Sequence, residues 1–151
     1  MKTALNLPPI EAAIRLSETG REEIFDPLRR RFVALTPEEW VRQHMIGFLT
    51  GQLGYPASLI SVETALKYNR LRKRTDIVIH GTGGQPGMIV ECKAPEVPLT
   101  RAVLEQAAMY NMPLQVKYLV LTNGLQHHIL FIDREAKKFA FLERFPGHGE
   151  L

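Results

Sequence analysis

Residues 74–95, RTDIVIHGTGGQPGMIVECKAP, constrain the fold of this chain more than any other stretch. Two runs of β-branched and apolar residues are separated by a connection rich in glycine, which is typical of two strands joined by a turn. If residues 81–86 form that connection, the two strands pair as an antiparallel hairpin with a defined register. The predicted pairs are Gly87 with His80, Ile89 with Val78, and Glu91 with Asp76.

Three charged side chains converge in this predicted hairpin. Because side chains alternate between the two faces of a strand, Glu91 and Lys93 share one face. Opposed residues have Cβ atoms about 5 Å apart, so Asp76 joins them in one patch. A two-residue turn at Asn69-Arg70 would also set Glu63 opposite Asp76, but a slip by one residue would turn Glu63 to the other face. Glu63 is therefore a candidate fourth member.

The patch needs a cation, because facing carboxylates repel and raise the pKa of one member. Lys93 supplies one positive charge. A divalent ion would supply the rest, and carboxylate oxygens with water are the ligands that Mg²⁺ takes. The alternative is a cross-strand salt bridge of Lys93 with Asp76 or Glu91 on an exposed sheet face.

Length and composition are those of an ordinary globular domain: 151 residues, 45% hydrophobic and 23% charged. We predict one domain over residues 1–151, with residues 1–20 as a peripheral arm and residues 146–151 as a peripheral tail. The single cysteine, Cys92, excludes an intramolecular disulfide and a zinc site built on several cysteines. No stretch resembles a secretory signal or the roughly 20 apolar residues of a membrane span, which predicts a cytoplasmic protein without a membrane partner.

Helix signals flank the hairpin. Thr36 and Glu39 have the spacing of a capping box, and apolar residues then recur near the helical period until Gly54. Thr100 caps a second predicted helix, VLEQAAMYN. Upstream, EEIFDPLRRRFVAL predicts a short hairpin or an irregular cover. Further strands are predicted at LISVETALKY, KYLVLTNG, HHILFIDRE and KFAFLERF, which gives a mixed sheet covered by helices.

A basic run, KYNRLRKR, leads directly into the strand that carries Asp76. It holds five basic residues in eight positions, whereas the net charge of +3 would not by itself indicate nucleic acid. The run is either a solvated turn or a surface that contacts DNA phosphates beside the acidic patch. The candidate DNA-binding residues are Lys67, Arg70, Arg72, Lys73 and Arg74.

These motifs resemble a known superfamily. Asp76, followed 15 residues later by Glu91-Cys92-Lys93, resembles the D…(D/E)-x-K signature of the PD-(D/E)XK nucleases. Gln106 and Tyr110 in QAAMY resemble the Q-x-x-x-Y element of its RecB-like branch. The triplet alone is weakly specific, but its combination with Q-x-x-x-Y is strong. LTPEEWVRQHMIGFL, IVECKAP and YLVLTNGLQHH resemble the nuclease domain at the N-terminus of type I restriction enzyme R subunits, over roughly residues 20–145.

The sequence departs from this pattern in two places. Thr75 stands where the superfamily has a proline, which is not a ligand. No G-x-x-x-x-G-K-[ST] phosphate loop occurs in the chain, so any ATP-driven translocation is absent or belongs to another polypeptide.

The resemblance implies an α/β fold of mixed α+β type, restriction-endonuclease-like, with a central mixed β-sheet flanked by helices. It implies that Asp76, Glu91 and the backbone carbonyl of Cys92 hold Mg²⁺, with Mn²⁺ able to substitute. Lys93 would position the attacking water and stabilise charge on the phosphate. Gln106 and Tyr110, on one face of a helix, would orient the lysine, the water or the DNA backbone, although core packing explains Tyr110 equally well.

The function implied is that of a metal-dependent DNA endonuclease, a phosphodiester hydrolase of a restriction system. Its partners would be DNA and either a second copy of the chain or other restriction subunits, since one small site cuts one strand. The alternatives are a stand-alone repair or recombination nuclease, and a non-catalytic nucleic-acid-binding module. His44 on the first helix could approach the site, but such a histidine is more often structural.

Overall fold

The strands form two sheets in this computed structural model, which describes residues 2–68 and 70–151. The first sheet is small, antiparallel and three-stranded, in the order β1-β2-β3. It contains the hairpin predicted for EEIFDPLRRRFVAL, and β1 lies within the segment predicted as an arm. The strands are β1 (Ile14–Leu16), β2 (Glu22–Asp26) and β3 (Arg31–Ala34).

The second sheet is the central one, with six strands among the described residues in the order β4-β5-β6-β7-β8-β9. β6 and β7 are parallel, and all the other neighbours are antiparallel. The predicted mixed sheet is thereby confirmed. The strands are β4 (Ile60–Tyr68), β5 (Leu71–His80), β6 (Pro86–Cys92), β7 (Tyr118–Thr122), β8 (His127–Asp133) and β9 (Lys138–Leu142).

Helices cover both faces of the central sheet. α1 (Pro37–Gly47) continues into a π-helical turn over Phe48–Gln52, and α2 (Arg101–Asn111) into a 3₁₀ turn over Met112–Leu114. One apolar cluster joins α1 to Ile77 and Val90, and the other joins α2 to Val78 and Ile89. Since β5 and β6 are buried on both sides, their run of apolar residues is continuous rather than alternating. No helix in the described ranges is long and apolar enough to cross a membrane.

Both predicted helix starts are confirmed, with one difference. The Thr36 Oγ1 accepts a hydrogen bond from the Glu39 backbone N–H at 3.0 Å, and Thr100 Oγ1 does the same for Val103 at 3.3 Å. The Glu39 side chain is bonded to arginines instead of completing the predicted capping box. A hydrogen bond from a charged arginine stabilises a buried carboxylate more than a hydrogen bond from a backbone N–H does.

The hairpin register is confirmed in its centre and wrong at its turn end. Ile89 pairs with Val78 as predicted, but His80 pairs with Pro86 instead of Gly87 because a bulge follows Ile79. The Gly81 N–H donates to the Gln85 carbonyl at 2.7 Å, which closes the turn one residue earlier. The connection therefore has five residues instead of the predicted six. Gly87 becomes an extra, unpaired residue of β6, which is a β-bulge.

Both chain ends contact the rest of the fold, and the division into a domain with a peripheral arm and tail stays a prediction. The Asn6 N–H donates to the Gly124 carbonyl at 2.8 Å, and the Trp40 indole donates to the Thr3 carbonyl at 2.9 Å. At the other end Leu151 is only 7% exposed and lies against Gly87, where a Cβ would meet it at 2.5 Å. A larger residue than glycine at position 87 would therefore displace Leu151.

Candidate active site

Asp76 is held at both carboxylate oxygens. Its Oδ2 accepts a hydrogen bond from the Cys92 backbone N–H at 2.7 Å, and its Oδ1 accepts one from Arg42 Nη2 at 3.2 Å. Its side chain is 26% exposed. Ile77 pairs with Val90, so the same register continued by one residue sets Asp76 beside Glu91. β5, β6 and α1 therefore fix this carboxylate together.

Glu91 carries the most perturbed carboxyl of the site. Burial, followed by the neighbouring charge of Asp76, raises the pKa of Glu91 from 4.5 to about 7, while Lys93 and Asn111 act in the opposite direction. A carboxylate pair in a partly desolvated spot cannot carry two negative charges without a cation. The predicted convergence of Asp76 and Glu91 is thus visible in their electrostatics, and the pair can take up positive charge.

A pocket of about 380 Å³ lies between Glu91 and helix α2. Glu91 is directed toward α2 because it lies two residues after Ile89, which packs in the cluster under that helix. The pocket therefore joins one end of the central sheet to the predicted Q-x-x-x-Y face. Its polar lining consists of Glu91 and Lys93 from the end of β6, Gln106, Tyr110 and Asn111 from α2, and Arg74 from β5.

Tyr110 contacts the basic run rather than the core. Its side chain is 48% exposed. The Lys73 Nζ lies 3.7 Å from the centre of the Tyr110 ring and donates a hydrogen bond to the Tyr110 carbonyl. The core-packing interpretation of Tyr110 is therefore wrong. Burial lowers the pKa of Lys73, and its cation–π contact connects the β4–β5 hairpin to α2 across the pocket.

Glu63 is directed toward arginines. Its carboxylate lies 3.1 Å from Arg29, 3.6 Å from Arg42 and 3.9 Å from Arg74. Its backbone has φ of 50°, in the left-handed region, and it interrupts the ladder between the pairs Val62 with Ile77 and Thr64 with Thr75. Its predicted role as a metal ligand stays a prediction. The Asn69-Arg70 turn used to place it includes Asn69, which lies outside the described residues.

Sequence reasoning missed four residues around the patch. Arg42 contacts Asp76, and Glu39 links Arg42 to Arg29. Asn111 is 1% exposed and lines the pocket, and its Oδ1 has no hydrogen-bond partner among the described residues. Two features of the sequence point to three of these residues. Asn111 directly follows Tyr110 of the predicted Q-x-x-x-Y element, and Glu39 and Arg42 are spaced one helical turn apart, as ion pairs on a helix are.

The side chains of Cys92 and His44 are packed inside the fold. The Cys92 side chain is 1% exposed, and burial raises the pKa of its thiol, which fits a buried apolar residue. The His44 Nδ1 lies 2.8 Å from the Trp40 carbonyl, and its ring packs edge-on against Trp40. The structural interpretation of His44 is therefore the better one.

The patch fits a divalent cation by its charge. The raised pKa of Glu91 reports a carboxylate pair that a cation would relieve. Across residues 2–68 and 70–151, no three histidine, cysteine or acidic side chains are grouped to hold a metal ion. The site would therefore use two carboxylates with backbone and water oxygens, a set that Mg²⁺ accepts and that zinc sites with four protein ligands do not use.

The Glu91 carboxyl predicts a pH dependence of stability without metal. Between pH 4.5 and about 7, Glu91 is mostly protonated in the folded protein and mostly ionised in the unfolded chain, because its pKa is raised on folding. The free energy of unfolding should therefore fall as the pH rises through this window, by at most about 3 kcal/mol. Glu91→Gln should abolish this fall in the free energy of unfolding. Urea unfolding at about pH 5 and at about pH 8, both with a chelator, measures it. The control is Glu135→Gln, on an exposed turn; equal pH dependence in all three proteins would contradict the assignment.

Comparison with known proteins gives a family and a fold. A family model described as type I restriction enzyme R protein N terminus (HSDR_N) matches residues 37–146. Among solved structures, the chain is similar to a fragment assigned to an HsdR subunit of a type I restriction enzyme from Vibrio vulnificus YJ016, with 25% sequence identity and a TM-score of 0.54. The similarity covers 78% of this chain and 24% of that chain. No curated protein matches the chain.

Proposed function

We propose that this chain, which belongs to the family of type I restriction enzyme R protein N termini, is a metal-dependent DNA nuclease domain. The observation that carries the proposal is the pocket in which Glu91 of β6 and Lys93, just after β6, meet Gln106 and Tyr110 from α2. Asp76 lies beside Glu91 when the register of Ile77 with Val90 is continued by one residue, and its charge raises the pKa of Glu91. A cross-strand salt bridge alone would not need a pocket or the α2 side chains.

Each side chain has a role in hydrolysis. Asp76 and Glu91, with the backbone carbonyl of Cys92, would hold Mg²⁺, which supplies Lewis-acid polarisation of the phosphate and of a water. Lys93 orients the attacking water and stabilises the charge that develops on the phosphate oxygens. The attack is direct, so the phosphodiester bond breaks without a covalent enzyme intermediate. Lys93 offsets part of the burial and of the Asp76 charge that favour the protonated form of Glu91.

The α2 side chains position the reactants. Gln106 and Tyr110 lie one turn apart and are both exposed at the rim of the pocket. An amide and a phenol can donate hydrogen bonds to phosphate oxygens or accept one from Lys93. They orient the DNA backbone and the lysine relative to the bond that breaks.

The activity of a whole restriction enzyme extends beyond this chain. The chain spans about a quarter of the length of the solved protein that it matches, and it has no phosphate-binding loop for ATP. Because one pocket cleaves one strand, a double-strand cut needs a second copy or recruitment into a restriction complex.

The basic run supplies DNA affinity. The side chain of Arg74 is 76% exposed beside the pocket, and Arg70 and Arg72 are also exposed. Arg70→Gln/Arg72→Gln is expected to weaken binding of all DNA sequences equally and to lower the salt slope by about one unit per lost phosphate contact. Fluorescence anisotropy across a salt series measures both quantities.

The matched control for the run is Arg21→Gln/Arg144→Gln, which removes two exposed arginines elsewhere on the surface. If the test variant keeps the affinity and salt slope of the control, the run is a solvated turn and DNA contacts another surface.

A panel of DNA substrates tests the proposed function. The protein is incubated with supercoiled, linear, single-stranded and branched DNA, each with Mg²⁺, with Mn²⁺ or with a chelator. Metal-dependent cleavage of duplex DNA supports a restriction-type nuclease. Cleavage confined to branched or single-stranded DNA would favour a repair nuclease instead. Binding without any cleavage would overturn catalysis and leave a binding module.

A further inference from the structure

A continuous chain of ion pairs extends from the small sheet to Asp76. Asp26, at the end of β2, pairs with Arg29 at 2.6 Å, and Arg29 pairs with Glu39 of α1 at 2.8 Å. Glu39 pairs with Arg42 at 2.6 Å, and Arg42 pairs with Asp76 at 3.2 Å. The first four side chains are at most 12% exposed. Opposite charges alternate along the whole path.

Arg42 is the link that contacts Asp76, and it uses both ends of its guanidinium. Nη1 donates to Glu39 Oε1 and Nη2 donates to Asp76 Oδ1. Burial lowers the pKa of Arg42, but the charges of Glu39 and Asp76 more than offset this and leave it raised, so the side chain stays charged. A lysine in this place has one nitrogen and cannot reproduce the planar fork.

Arg29 is the link that brings in the small sheet. Its guanidinium contacts three carboxylates, those of Asp26, Glu39 and Glu63. The Asp26 Oδ1 also accepts from the backbone N–H groups of Leu28 and Arg29 at 2.8 and 3.0 Å, which fixes the turn that carries the arginine. This turn lies before residues 37–146, the part that matches the family.

We propose that Arg42 is a positioning residue for Asp76, and that Arg29 of the small sheet holds Arg42 in place through Glu39. The inference rests on the proposed function and assigns a role to residues 22–34 that the family match does not cover. Arg42 on Oδ1 and the Cys92 N–H on Oδ2 fix the plane of the Asp76 carboxylate before any metal binds. Glu39 also accepts hydrogen bonds from Arg29 and Gln43, so its negative charge is shared among three donors rather than satisfied by Arg42 alone.

The Cys92 amide proton offers a readout of this positioning that requires neither metal nor activity. Its hydrogen bond to Asp76 Oδ2 moves the amide resonance downfield and slows its exchange with solvent. In ¹H–¹⁵N spectra without metal, Arg42→Lys and Arg29→Gln should move this resonance upfield and accelerate its exchange. The control is Arg31→Gln in the same sheet, an exposed arginine of β3, which should leave the resonance in place.

Mn²⁺ binding without DNA is the second readout, because partners that orient ligands typically change metal affinity by about 10- to 100-fold. Arg42→Lys and Arg29→Gln should weaken Mn²⁺ binding by about 10-fold, with Arg31→Gln unchanged. Thermal unfolding shows that each variant is folded at the assay temperature. Should Arg42→Lys unfold, Arg29→Gln still tests the proposal, since Arg29 pairs with Asp26, Glu39 and Glu63 and reaches Asp76 only through Glu39 and Arg42.

The outcomes separate this inference from the proposed function. If wild-type protein binds Mn²⁺ but both variants bind it equally and keep the Cys92 resonance, with only their melting temperatures lowered, the ion pairs are structural and the inference is overturned. If wild-type protein binds no Mn²⁺, the proposed function fails, whereas the Cys92 amide resonance of the two variants still decides whether Arg42 and Arg29 position Asp76.

Discussion

Lys93→Ala is expected to lower metal-dependent DNA cleavage by about 100- to 1000-fold, the usual effect of removing one group that stabilises charge in a transition state. Lys93 follows the end of β6, where its N–H donates to the Thr122 carbonyl at 2.8 Å, and its side chain lines the pocket. The backbone contact is independent of the side chain, so the fold should persist. DNA affinity should change little, because Lys93 acts on the transition state while the basic run binds phosphates.

The matched control is Lys138→Ala, an exposed lysine at the start of β9 in the edge strand. Single-turnover cleavage and equilibrium DNA binding are measured on the same preparations. If Lys93→Ala cleaves as fast as Lys138→Ala, in samples free of other nucleases, Lys93 has no part in the chemistry.

Asp76→Asn is expected to weaken Mn²⁺ binding by at least about 1000-fold. Two unit charges about 4 Å apart attract each other by about 4 kcal/mol at an effective dielectric constant of 20, which is a lower bound for a divalent ion, and each 1.4 kcal/mol is a factor of about ten. Asparagine keeps the shape and one carbonyl oxygen, so the Cys92 N–H keeps an acceptor. It loses the ion pair with Arg42, and cleavage should fall with metal affinity.

Calorimetric titration of Mn²⁺ without DNA measures this effect. Asp133→Asn is the control, since Asp133 is exposed at the end of β8 and caps only the following turn. Unchanged Mn²⁺ affinity in Asp76→Asn would place the metal elsewhere or exclude it from this site.

The local parts of the fold could be predicted from sequence because local signals determine them. The central pairing of Ile89 with Val78 and the caps at Thr36 and Thr100 are confirmed. A run of apolar residues and a turn set the register of a hairpin, and a capping hydroxyl sets the start of a helix. The same register brought Asp76 and Glu91 together.

The irregular and long-range parts could not be predicted in the same way. The bulge after Ile79 and the left-handed backbone of Glu63 depend on tertiary contacts rather than on sequence pattern. Arg29 and Asp76 belong to one network although 47 positions separate them (76 minus 29). Ion pairs between distant elements leave no periodicity in a sequence. The sequence therefore indicates Glu39 only as a capping residue and does not indicate Arg42.

Nicking of supercoiled plasmid by the wild-type protein is the measurement that tests this account most directly. The protein and an Asp76→Asn preparation, purified in parallel, are each titrated with Mg²⁺ and with Mn²⁺ against a chelator control. If Asp76, Glu91 and Lys93 form a hydrolytic site, open-circular product appears only with metal and only with wild-type protein. Absence of nicking at saturating Mg²⁺ and Mn²⁺, or equal nicking by both preparations, would contradict a hydrolytic site at Asp76, Glu91 and Lys93.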